Sequence, residues 1–114
     1  MSRALWRGMA NTDLVEIGNK AIQHRLLKIA EEELRFPPRE KSSDEGWIRG
    51  LEGRMAWRRA TPDLENPGVC DESADYYLVY REPTDLEYRK SEGGHIAFYI
   101  MRVLHASDLE SLGA

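Results

Sequence analysis

Candidates for acid–base or anion chemistry in this chain are few: three histidines, His24, His95 and His105, and the cations of the second half, Arg81, Arg89, Lys90 and Arg102. His105 follows an apolar, β-forming run over residues 96–104, and an imidazole at a strand end can act as a general acid or base. A lone histidine there is more often structural. Alternation along a strand puts Arg102 with Leu104 on one face and Val103 with His105 on the other if no bulge intervenes. Arg102 and His105 are therefore not expected to converge, and a nearby carboxylate is the simpler partner for Arg102. The histidines are widely spaced, with no His-x-x-x-His or Glu-x-x-His pattern, so no metal site is expected. Gly46, Gly50 and Gly53 lack the preceding strand and the Gly-Lys-Ser/Thr ending of a phosphate loop, there is no nucleophile motif, and no cofactor is expected. Cys70 is the only cysteine, which leaves no internal disulfide.

Recognition chemistry has one local candidate, Trp57-Arg58-Arg59. A rigid indole supplies contact area and guanidinium forks bind carboxylates, so this group suits a partner surface. The alternative is a core Trp57 flanked by solvated arginines. Tyr76 and Tyr77 are adjacent in a strand-forming run, so one of the two is expected outside the core.

With 114 residues, 41% of them hydrophobic, the chain fits one domain, residues 1–114. The start has no apolar segment followed by a small-residue cleavage site, and no run approaches the roughly 18–20 apolar residues that cross a bilayer, so a cytoplasmic location and no membrane partner are expected. The net charge of −4 hides an asymmetry. Residues 1–60 hold 12 Lys/Arg and 9 Asp/Glu, a net of +3, while residues 61–114 hold 4 and 11, a net of −7. An acidic half argues against a broad nucleic-acid surface, so no direct nucleic-acid binding is expected, and the basic half suits an acidic protein partner.

The elements that would position these residues follow from spacing. Ala4-Leu5-Trp6 is a candidate short strand. Asn11-Thr12-Asp13 offers a helix start, and residues 12–35 carry Leu14, Ile17, Ala21, Ile22, Leu26, Ile29, Ala30 and Leu34 at three- and four-residue spacings. The apolar direction rotates between the two halves of that run, and Gly18-Asn19 interrupts it, which allows one long helix or two short ones. Pro37-Pro38 ends it. Ser42 and Glu45 have capping-box spacing and predict a second helix with Ile48, Leu51 and Met55 on one side, weakened by its glycines. Residues 76–80 read as a strand, residues 86–89 as the extension of a hairpin arm, and residues 95–104 as a strand pairing antiparallel with the first. The class is α+β, helices on one face of a small antiparallel sheet.

The order β-α-α-β-β-β, with Leu64-Glu65-Asn66-Pro67-Gly68-Val69, Tyr77-Leu78-Val79-Tyr80-Arg81 and Arg102-Val103-Leu104-His105-Ala106-Ser107-Asp108-Leu109, resembles the RelE/ParE toxin superfamily, and most closely its ParE-like branch. Ala4-Leu5-Trp6 and Asp13-Leu14-Val15-Glu16-Ile17 resemble that family's opening strand and helix start. Residues 39–60 have no counterpart in it, and residues 85–94 lengthen a hairpin that is usually tight. The resemblance implies a toxin of a toxin–antitoxin pair that binds and inhibits DNA gyrase without an active site, neutralised by a cognate antitoxin wrapping its helical surface. The RelE branch implies instead a ribosome-dependent messenger-RNA endoribonuclease, for which Arg81, Arg102 and His105 would be the catalytic set, with Arg89 and Lys90 as further cations. A third expectation is a non-enzymatic, phage-type inhibitor of a host protein, anchored by Trp57, Arg58 and Arg59.

Overall fold

The computed structural model describes residues 3–39, 41–61, 75–90 and 96–111. The chain runs β1 (Ala4–Trp6), α1 (Gly8–Ile17), α2 (Lys20–Lys28), a π-helical turn (Ile29–Glu33), β2 (Glu45–Trp47), β3 (Ala56–Arg59), β4 (Tyr76–Arg81), α3 (Asp85–Lys90), β5 (Phe98–His105) and α4 (Ala106–Ser111). The class is α+β, as the sequence implies. The strands form one sheet in the order β1-β5-β4-β3-β2, antiparallel except for β1, which runs parallel to β5 and makes the sheet mixed. The turn at residues 64–69 and the histidine His95 lie outside the described residues.

Gly18-Asn19 divides the N-terminal helical run into two. Gly18 takes a left-handed conformation (φ 69°) that ends α1, and the Asn19 side chain accepts from Ile22 N at 3.2 Å to cap α2. The start of α1 differs from the sequence reading. The helix begins at Gly8 rather than near residue 12, because Arg7 N still donates to Ile100 O in the sheet and the chain turns directly from β1 into the helix. Thr12 therefore lies inside α1, where its hydroxyl donates to Gly8 O at 3.1 Å. Ile22, Leu26, Ile29, Ala30 and Leu34 bury one continuous stripe against Ala4, Ala56, Leu78, Tyr80, Phe98, Ile100 and Val103. Phe36 reinforces its edge, with ring centroids 5.2 Å from Trp47 and 6.2 Å from Tyr80 in edge-to-face contacts.

The second predicted helix, residues 42–55, is instead the hairpin β2–β3. Ser42 Oγ accepts from Asp44 N at 3.1 Å in a local turn, and Glu45 is 1% exposed, opposite Arg58 in the ladder. Gly50 (φ 81°) and Gly53 (φ 87°) supply the left-handed turn, a conformation no α-helix contains. Ile48 N donates to Met55 O at 3.1 Å and closes the hairpin. The predicted hairpin arm at residues 86–89 is instead α3. Thr84 and Glu87 form a reciprocal capping box there, with Thr84 N donating to Glu87 Oε1 at 2.9 Å and Glu87 N to Thr84 Oγ1 at 3.3 Å.

A bulge interrupts the β4–β5 ladder. Val79 pairs with Arg102 and Tyr80 with Ile100, so Met101 is the extra residue. Ile100 and Val103 consequently share the helix-covered face, while Met101 and Leu104 share the other with Ile48, Val79, Trp57 and Tyr77. Tyr76 and Tyr77 are both half-buried, on opposite faces, so neither stands wholly outside. Among the described residues, no helix is long and apolar enough to cross a membrane.

Candidate functional site

A polar cleft lies beside the bulge. Asp13, on the side of α1 that faces the sheet, receives Arg102 Nε at 2.7 Å and Nη2 at 3.1 Å, and Val103 N donates to the same carboxylate at 3.0 Å. A bidentate guanidinium and a backbone amide thus converge on one carboxylate, which ties α1 to the strand at the point where its ladder is disturbed. These hydrogen bonds raise the Arg102 pKa above its already high value, so the guanidinium stays charged. Around this pair, Glu16, Ile17, Tyr76, Val103, Leu104, His105 and Asp108 complete a cleft of about 270 Å³.

His105 is exposed at the end of β5. Its Nδ1 lies 3.1 Å from Ser107 Oγ and receives Ser107 N at 3.4 Å, an arrangement that puts the proton of the neutral ring on Nε2. The ring meets Tyr76 edge to face at 5.6 Å. Arg102 and His105 do line one cleft, contrary to the alternation expectation. The bulge at Met101 precedes both and the ladder from Arg102 to His105 is regular, so it is the bidentate pairing with Asp13 on α1 that brings the Arg102 guanidinium there. The expected carboxylate partner for Arg102 is present as Asp13.

Arg81 is not part of that cleft. It pairs with Tyr99 at one end of the β4–β5 ladder, whereas Tyr76 pairs with His105 at the other, five residues away along β4, or roughly 17 Å at about 3.4 Å per residue. Its guanidinium is bound bidentately to Glu87, at 2.7 and 3.0 Å, and stands 4.8 Å over the Tyr99 ring. The three residues that an RNA-cleaving reading requires are thus divided between two ends of the sheet, and both arginines have carboxylate partners. Arg89 and Lys90 lie on α3, beyond Arg81. In the cleft itself, Asp13, Glu16 and Asp108 outnumber Arg102, so its field repels a phosphodiester and favours a neutral or cationic group.

The group Trp57, Arg58 and Arg59 divides between the two faces of β3. Arg58 is 7% exposed, donating to Glu33 O, Glu33 Oε1 and Thr61 Oγ1, each at 3.3 Å. Arg25, 5% exposed, binds the same Glu33 carboxylate and donates to Thr61 O at 2.5 Å. Arg58 therefore serves the packing of the helices on the sheet and is not a surface anchor. Trp57 lies on the opposite face, 5.6 Å from Tyr77 and directly over Gly46, where an added Cβ would come within 3.0 Å of the indole. Sequence reasoning missed Asp13, Glu33 and Glu87 as the carboxylates that engage these arginines. Asp13 is 89 residues from Arg102 and no local pattern links them, whereas Thr84-x-x-Glu87 is a readable capping box.

No known protein family, no curated protein and no solved structure matches this chain.

Proposed function

We propose that the chain is a ParE-like toxin that acts in the cytoplasm by binding and inhibiting DNA gyrase, and that a cognate antitoxin protein neutralises it. The observation that carries this reading is the position of β5. The strand bearing Arg102-Val103-Leu104-His105 lies between a parallel β1 and an antiparallel β4, with α1 and α2 on one face. This element order supports the β-α-α-β-β-β reading, with β1 parallel where an antiparallel sheet was expected, β2 added at the far edge and α3 inserted before the last strand.

Binding is favoured over RNA cleavage by the fate of the candidate catalytic set. Arg102 is engaged by Asp13, Arg81 by Glu87, and the cleft that holds His105 carries an excess of carboxylates. A catalytic cation for phosphoryl transfer must instead face the position where negative charge develops. An antitoxin covering the helices has suitable side chains to bury, since Met9, Val15 and Leu27 on α1 and α2 are 61%, 73% and 39% exposed.

Purified protein is expected to inhibit gyrase supercoiling at micromolar concentration and to arrest growth when expressed without an antitoxin. Absence of both effects removes the reading. Ribosome-dependent cleavage of messenger RNA, lost in Arg102→Ala, would replace it with the endoribonuclease. In a toxin–antitoxin pair, Val15→Glu is expected to leave growth arrest intact while weakening neutralisation by the antitoxin.

A further inference from the structure

Helix α3 buries no residue, yet it is held firmly in place. Its N-terminus carries the Thr84–Glu87 capping box, and Arg81 on β4 grips Glu87 through two hydrogen bonds. Six residues make too short a helix to persist on propensity alone, so these polar bonds fix it without a core contribution. What they hold outward is apolar: Leu86 is 63% exposed and Tyr88 55%. Fixing such side chains before contact lowers the entropy lost when they dock.

Beside this projection lies a receptacle. Phe36, Met55 and Pro83 floor a largely apolar cleft of about 410 Å³, and Pro83-Thr84, which form part of its wall, run directly into α3. Arg54 stands at the cleft and Asp85 opens the helix; each is exposed and has no ion-pair partner among the described residues. Glu82 at the cleft and Arg89 and Lys90 on α3 are exposed as well, so the corner carries charges of both signs. A projection adjoining a hollow, with acid and base side by side, is the self-complementary patch that a two-fold contact requires.

We propose that this corner is a self-association surface whose occupant is the same corner of a second copy of the chain. Leu86 enters the Phe36–Met55–Pro83 cleft of the partner, and Arg54 of each copy meets Asp85 of the other. The contact does not depend on the toxin reading. It leaves α1 and α2 uncovered.

Sedimentation velocity on the full chain, from low micromolar to a few hundred micromolar, tests it. The expected result is a concentration-dependent rise from 13.1 kDa to twice that mass. Leu86→Asp is an exposed change that leaves the fold intact by circular dichroism, and it is expected to weaken the dimer at least roughly tenfold. Arg54→Asp should also weaken it, and adding Asp85→Arg to that variant should recover most of the loss. A monomeric mass throughout overturns the proposal and leaves α3 to a different protein. A dimer indifferent to Leu86→Asp, or a charge exchange that recovers nothing, overturns it as well.

Discussion

Asp13 accepts three hydrogen bonds from two consecutive residues of β5, and its loss would leave the Arg102 guanidinium and the Val103 amide competing for water. Asp13→Ala is expected to destabilise the chain by about 1–2 kcal/mol in urea unfolding, the range for charged hydrogen bonds reduced for the partial exposure of Arg102. Arg102→Ala should cost a similar amount, and the double variant little more than either, since both remove one interaction. Additive losses would show that the two side chains act separately. Gly46 presents a steric case of the same kind. A Cβ there would lie 3.0 Å from Cζ2 and Nε1 of Trp57, against the body of the ring and not a flexible tip. Gly46→Ala is therefore expected to cost about 1–3 kcal/mol and to shift the Trp57 fluorescence. An unperturbed spectrum would mean that β2 moves away freely.

At the scale of elements, α3 should respond to acid. Arg81 first, and Thr84 next, hold the Glu87 carboxyl down to about 2 from its ordinary 4.5. A lowered native pKa gives a contribution that is complete above about 4.5 and is lost as pH falls towards 2. Amide shifts of Leu86 and Tyr88 are expected to move towards coil values across that window, and Glu87→Gln should show the loosened state already at neutral pH. Identical profiles for the two chains would mean that the capping box contributes nothing. This helix also shows what the sequence could and could not convey. Ser42–Glu45 and Thr84–Glu87 share one capping spacing, but the first sits in a hairpin turn and the second opens a helix. In the first, Glu45 is buried as a residue of β2, across the ladder from Arg58, and its carboxylate is bound by Arg39 instead of capping a helix. The stripe Ile22, Leu26 and Ile29 and the break at Gly18-Asn19 were legible because both are local. The cleft was half legible: Arg102 calls for a carboxylate, but only the β1–β5 crossover brings Asp13 to it.

For the molecule as a whole, β5 is the element on which the rest is assembled. It is hydrogen-bonded on both edges, to β1 and to β4, and it is packed by α1 through Asp13 and by the helical core through Phe98, Ile100 and Val103. The peripheral elements have much less: β2 pairs over three residues at the sheet edge, and α3 adds no buried residue. Local opening free energies follow buried contacts and protected hydrogen bonds, so stability should be graded outward from β5. Ile100 is fully buried at the centre, and Ile100→Ala is expected to cost about 2–5 kcal/mol and lower the cooperative transition of the entire fold. Leu86→Ala, at a side chain 63% exposed, should leave that transition within about 0.5 kcal/mol. Hydrogen exchange at micromolar concentration would read the same gradient directly: α3 amides exchange first, β2 next, and Leu78 and Ile100 last, near the rate of global unfolding. If α3 were as protected as β5, its capping box and the Arg81 clamp would be coupled to the core, and the picture of a polar-stapled helix projecting from a separately stable sheet would be wrong.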